Sequence, residues 1–209
     1  GFIMAVVSNG TTLIDAGAVS AASGSMTHIK TLTASSSATL SFVHGAADVV
    51  LDSTYDEYVF KFINIHASAA SEFEVGFRDG DSAYDATKTT TAFYAYHMEN
   101  DSNTTLIINA AEDLAQSTAF QNLTIAGQIG LDNDECASGH MTLYNPSSTT
   151  FVKHFMSETN YVSNDGIVIG VNTRISGYCN VTAAIDGVQF KMGSGNIDSG
   201  EIKLYGIGG

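Results

Sequence analysis

Asp79, Asp81 and Asp85 are the first residues whose types and spacing suggest chemistry. They sit around the flexible run Asp79-Gly80-Asp81, and a hard cation such as calcium takes several carboxylate and carbonyl oxygens converging from such a turn. The run lacks the closing Glu of an EF-hand loop, so a solvated acidic hairpin turn stands beside the cation reading. Asp132-Asn133-Asp134-Glu135 is a second acidic loop with the same two readings.

Soft ligands and nucleophiles come next. The two cysteines, Cys136 and Cys179, fit neither a CxxC redox pair nor a zinc cluster, and they read either as one disulfide or as two small buried side chains. Six histidines, His28, His44, His66, His97, His140 and His154, include no HxH pair. A metal site would have to combine Cys136 and His140 with Cys179; imidazoles on or partly under a sheet are the alternative. Gly193-Ser194-Gly195 is not a nucleophile elbow, because that motif needs a strand-to-helix turn and this run lies between two expected strands. No phosphate loop or dinucleotide fingerprint occurs. These readings give no catalytic, cofactor-binding or metal residue to assign, and an enzyme is the least expected class.

Aromatic rings offer recognition instead. Tyr84, Phe93, Tyr94, Tyr96 and Tyr144, with neighbouring Asp and Asn, would make a sugar-binding platform by ring stacking and hydrogen bonding, or would simply pack a Tyr-rich sheet. Sequons at Asn9, Asn100, Asn103, Asn122 and Asn180 are what an Asn-, Ser- and Thr-rich chain produces by chance, and they matter only in a glycosylating host.

The elements that must position these residues read as strands. Along the 209 residues, short β-branched and aromatic segments alternate with Gly, Asn, Asp and Ser clusters, and helical periodicity is nearly absent. The clearest is Tyr58–His66, where Tyr58, Phe60, Phe62 and Asn64 take one face and Val59, Lys61, Ile63 and Ile65 the other. Further strands are expected at Thr27–Thr33, Thr39–Val43, Phe73–Arg78, Ala92–His97, Leu106–Asn109, His140–Tyr144, Val152–Ser157, Ile167–Thr173, Val188–Met192 and Glu201–Tyr205. Ala16–Met26 and Ala110–Phe120 look helical or irregular. With one Pro, no charge block and no constant repeat, the expectation is a single all-β domain over residues 1–209, an antiparallel β-sandwich of jelly-roll type.

Charge limits the partners. Eight Lys and Arg against 22 Asp and Glu give a net charge of -14, which repels nucleic acid and anionic membranes. No run of about 18 apolar residues occurs, so no membrane span is expected. The opening residues lack the basic start of a secretory signal, and Met4 is the expected natural start.

Five segments carry a resemblance: Val7-Ser-Asn-Gly-Thr-Thr-Leu-Ile-Asp-Ala-Gly17, Leu32-Thr-Ala-Ser-Ser-Ser-Ala-Thr-Leu-Ser-Phe-Val43, Asp113-Leu-Ala-Gln-Ser-Thr-Ala-Phe120, Pro146-Ser-Ser-Thr-Thr-Phe-Val-Lys-His-Phe155 and Ser194-Gly-Asn-Ile-Asp-Ser-Gly-Glu-Ile-Lys-Leu-Tyr-Gly206. They resemble a family of uncharacterised proteins of aquatic bacteriophages, over nearly the whole chain from Met4. The resemblance implies a virion structural protein, such as a capsid decoration, head fibre or tail-associated component, with no catalytic motif or cofactor to carry over. The expected partners are a second copy of the chain and other virion proteins. A glycan-binding fibre module and an extracellular filament subunit are the alternatives. Residues 1–13, through Phe2–Leu13, are an expected assembly arm, and Glu201–Ile207 is a second strand that would add to a neighbour's sheet.

Overall fold

The computed structural model describes residues 6–8, 11–15, 18–19, 26–164 and 168–208. Every regular element in them is a strand. The large sheet has eight, in the order β4 (Thr27–Thr33), β15 (Ile197–Ile207), β6 (Glu57–Ala67), β11 (Ala137–Tyr144), β12 (Lys153–Asn164), β13 (Val168–Cys179), β8 (Lys88–Met98) and β9 (Thr104–Ile108). The small sheet has four, in the order β10 (Gln121–Asn122), β7 (Phe73–Arg78), β14 (Gly187–Met192) and β5 (Leu40–Val43). All neighbours in both sheets are antiparallel. A three-stranded meander joins β1 (Val6–Ser8), β2 (Thr11–Asp15) and β3 (Ala18–Val19).

The all-β sandwich is as the residue pattern predicts. Its sheets divide as eight and four strands, whereas a jelly roll shares eight strands between two sheets.

Alternation explains which side chains fill the space between the sheets. Phe42, Phe73, Phe77 and Phe190 come from the small sheet and Phe60, Phe62 and Phe155 from the large one, all buried. Phe190 is the hub: its ring centroid lies 6.3, 5.4, 5.2 and 5.7 Å from those of Phe42, Phe60, Phe62 and Phe73. Phe77 meets Phe155 at 4.8 Å.

β6 keeps its expected phase only as far as Phe62. Asn64 has a φ of 50°, and the register against both neighbours slips there: Ile63 pairs with Glu201 but His66 with Ser199, and Phe62 pairs with Gly139 but Ile65 with Ala137. The extra residue of this β-bulge turns the rest of the strand over. Ile65 is therefore buried, and Ile63, expected on the same face, is exposed.

Of the two readings of Ala110–Phe120, helical or irregular, the structure shows the irregular one. Its backbone pairs with β8, through Ser117 N–H to Lys88 O, Lys88 N–H to Ser117 O and Thr90 N–H to Leu114 O, at 2.9 Å each. The segment ends with Phe120 laid over Gly76, where a Cβ would come within 2.5 Å of the ring. Of Ala16–Met26, only Ala18–Val19 and Met26 fall within the described residues, and Ala18–Val19 is strand.

The two strands expected to serve a neighbour are engaged within the chain. Glu201–Ile207 belongs to β15, hydrogen-bonded on both sides by β4 and β6, so it has no free edge to donate. In the expected arm, β1 pairs with β2, while Phe2 lies outside the described residues.

Candidate interaction surface

The outer face of the large sheet is built by cross-strand register. One row runs Ile108, Phe93, Arg174, Glu158, His140, Lys61, Lys203 and Thr31 from the β9 edge to the β4 edge. A parallel row runs Thr91, Ser176, Met156, Thr142, Val59, Tyr205 and His28. In the first row Arg174 Nη2 meets Glu158 Oε2 at 2.8 Å. Phe93, His140, Tyr144, Met156, Glu158 and Arg174 line a groove of about 270 Å³ on this face.

The β9 end is the apolar end. Leu106 and Ile108 are 70% and 78% exposed, the highest values for large apolar side chains among the described residues, and Phe93 (39%) and Met156 (53%) extend them across the face. Large apolar groups gathered this way on a solvent-facing surface mark contact sites more often than scattered single ones do.

The aromatic platform expected from sequence is split by strand alternation. Phe93 and Tyr144 face out, while Tyr94 and Tyr96 face in, stacked with centroids 6.2 Å apart in a pocket of about 290 Å³ that includes Met98, Ile125, Ala126 and Ile169. Tyr84 lies elsewhere, beside Gly187 and near the bidentate Arg78–Asp186 pair, whose hydrogen bonds raise the guanidinium above its ordinary value.

Asp79, Asp81 and Asp85 do come together, with one carboxylate oxygen of each within 4.8 Å of the others. Asp81 Oδ1 also accepts the Ala83 N–H at 2.7 Å, which closes the turn. The second acidic loop does not converge. Its Glu135 is buried and its Oε2 accepts the Asp132 N–H at 2.9 Å, so that carboxylate holds its own loop.

Cys136 and Cys179 are free thiols at opposite ends of β12. Cys136 O accepts the Val162 N–H, whereas Cys179 pairs with Lys153. Nine strand steps separate those points, about 30 Å at ~3.3 Å per residue, against the ~7 Å a disulfide spans. The same distance breaks up the metal trio with His140, which lies on the outer face. The remaining histidines also go their own ways: His44 Nδ1 accepts the Leu51 N–H, His97 meets Asp101 at 3.1 Å, His154 neighbours Tyr178 and His28 neighbours Tyr205. Ser194 lies in a turn, its N–H donating to Ser71 Oγ. Asn100, Asn103 and Asn180 are exposed and Asn122 is half-buried; Asn9 lies outside the described residues.

Two arrangements escaped the sequence pattern. The β6 bulge opens a polar pocket of about 340 Å³ that gathers Asn64, His66, Asn133, Cys136, Asp198 and Ser199. His66 Nδ1 lies 3.6 Å from Asp198 Oδ2, and Cys136 Sγ faces Asn64 Oδ1 at 4.0 Å. His66 Nε2 is buried without a hydrogen-bond partner, so no contact joins thiol to imidazole as a nucleophile and base require.

The second is a buried row across β12, β13 and β8: Cys179 is the register partner of Lys153 on one side and of Lys88 on the other, each fully buried. Lys153 Nζ donates among four carbonyls, of Ser148 (3.2 Å), Phe151 (3.2 Å), Val181 (2.7 Å) and Ala183 (2.5 Å). Lys88 Nζ donates to Ala119 O at 2.6 Å. Burial lowers both ammonium groups below their ordinary value and pushes the Cys179 thiol up to about 12. Inward-facing lysines carry no sequence signal, because lysine in a strand reads as solvent-facing. No protein-family model, curated protein or solved structure matches this chain.

Proposed function

We propose that this protein is a structural component of a bacteriophage virion, seated on the outside of the particle and acting through protein contacts without catalysis. The observation that carries the reading is the exposed apolar end of the eight-stranded sheet's outer face, at Phe93, Leu106, Ile108 and Met156. The resemblance of the five segments to aquatic phage proteins supports the setting. The net charge of -14 suits a surface that must neither bind the packaged genome nor adhere to acidic cell surfaces. The test is immunogold labelling of intact virions whose genome encodes the chain, using antibody raised against the folded protein. Labelled particle surfaces are expected; label confined to the host lysate would overturn the proposal.

A second reading, a glycan-recognising module, is favoured by the groove lined by Phe93, Tyr144 and the Arg174–Glu158 pair. Such a mixture of ring faces and charged hydrogen-bonding groups suits a sugar. Retention on a glycan array that is lost in Arg174→Ala would support it.

A further inference from the structure

We propose that the β9 edge is a self-association site, where a second copy of this chain adds its own β9 antiparallel across a two-fold axis through Leu106. The inference rests on the assembly reading and names the partner for one part of that surface.

The backbone of β9 is set up for it. Asn109 N–H donates to Ala92 O and Met98 N–H donates to Asn103 O, so the odd-numbered residues of this segment bond to β8. Antiparallel pairing alternates, and the N–H and C=O groups of Thr104, Leu106 and Ile108 therefore point away from β8, to the free edge of the sheet. The sequence from Asn103 to Asn109 holds no charge and no proline.

The opposite edge of the same sheet is guarded. In β4, Lys30 pairs with buried Leu204 and so lies on the inner face, the inward-pointing charge that discourages strand addition. β9 has no such device, and its side chains are the most exposed apolar ones described.

Self-complementarity identifies the occupant. With Leu106 opposite Leu106 of the second copy, Thr104 faces Ile108, Thr105 faces Ile107 and Asn103 faces Asn109. No like charges meet along the strand, which matters for a chain of net charge -14. The two-fold is isologous and closes at a dimer, joining two eight-stranded sheets through about six backbone hydrogen bonds.

The test is light scattering on the full chain across a concentration series from about 1 µM to about 1 mM, a range that brackets a weak pair. A monomer–dimer equilibrium is expected. Leu106→Lys, which sets like charges against each other, and Leu106→Pro, which removes an N–H that β8 does not use, should each weaken it by at least about tenfold. Phe151→Lys, exposed and outside the strand, should leave it unchanged. Leu106→Thr, a milder change, keeps the test valid if either variant fails to reach the wild-type urea midpoint. Under mild oxidation Leu106→Cys should cross-link to itself, because directly opposed residues lie about 5.5 Å apart at Cα. A chain that stays monomeric throughout, or a dimer that survives both Leu106→Lys and Leu106→Pro, overturns the inference. Virion labelling with a monomeric chain would reject this interface alone, and a β9 dimer without labelling would reject the virion reading alone.

Discussion

Exchanging each buried lysine for methionine should affect stability in opposite directions. Lys→Met keeps most of the apolar stem and removes the ammonium, so the change isolates what the charge contributes. At Lys153 three donors are shared among four carbonyls, the two shortest at 2.5 and 2.7 Å. A hydrogen bond to a charged group is worth about 1.5–3 kcal/mol, so three of them outweigh a desolvation cost of several kcal/mol. Lys153→Met should therefore cost about 2–4 kcal/mol and loosen the 148–151 and 181–183 loops that the ammonium holds together. At Lys88 one bond, to Ala119 O, opposes the same kind of desolvation cost. Lys88→Met should leave stability unchanged or raise it by up to about 2 kcal/mol. Urea unfolding at pH 7, read as the midpoint at constant slope, measures both. The pH dependence adds a second check. Because burial lowers the Lys88 value below 10.5, the unfolded chain holds the extra proton between the two values, and wild-type stability rises with pH through that window. Lys88→Met lacks this rise, so its advantage should shrink as pH climbs toward 10.5. The Cys179 thiol acts oppositely, losing stability above 9.0, and because the neighbouring Lys88 charge lowers that thiol's pKa, removing the charge in Lys88→Met does not reduce this loss. A Lys88→Met protein less stable than Lys153→Met would refute the reasoning.

Phe190→Ala, at the hub of four rings, should cost about 3–5 kcal/mol in the same unfolding assay. Asn64→Gly should stay within about 0.5 kcal/mol of wild type, while Asn64→Val should lose at least ~1–2 kcal/mol, because a β-branched residue resists the positive φ of the bulge. Equal costs for the two would contradict the bulge account. A thiol reagent should modify half-buried Cys136 in the folded protein and reach Cys179 only on unfolding, with no intramolecular disulfide after oxidation; peptide mass mapping reads both. Raising salt from low ionic strength to about 0.15 M, where screening acts within about 8 Å, should strengthen β9 dimerisation by reducing repulsion between the acidic copies.

Much of the secondary structure is legible in the chain. The β-branched run Thr27–Thr33 and the aromatic and aliphatic run Phe73–Arg78 mark both strands at their observed bounds, because such residues favour the pleated, half-buried surface of a sheet. For Ala110–Phe120 the sequence left helix and irregular backbone open, since its Ala, Leu and Gln residues favour a helix, and the pairing with β8 decided for the irregular course. The approach of Asp79, Asp81 and Asp85 follows from their closeness in sequence. The pocket holding His66, Cys136 and Asp198 does not, because it joins β6, β15 and the loop before β11 at a bulge.

By itself, the sequence determined the fold class and the net acidity, both of which follow from local pattern or composition. Tertiary structure decided which strand is left at an edge. Glu201–Ile207 and Thr104–Ile108 are both β-forming segments, and only the pairing order buries the first between two neighbours and leaves the second with free backbone groups. Tertiary structure also turned Lys88 and Lys153 inward, since a strand's facing depends on which of its two sides the second sheet covers.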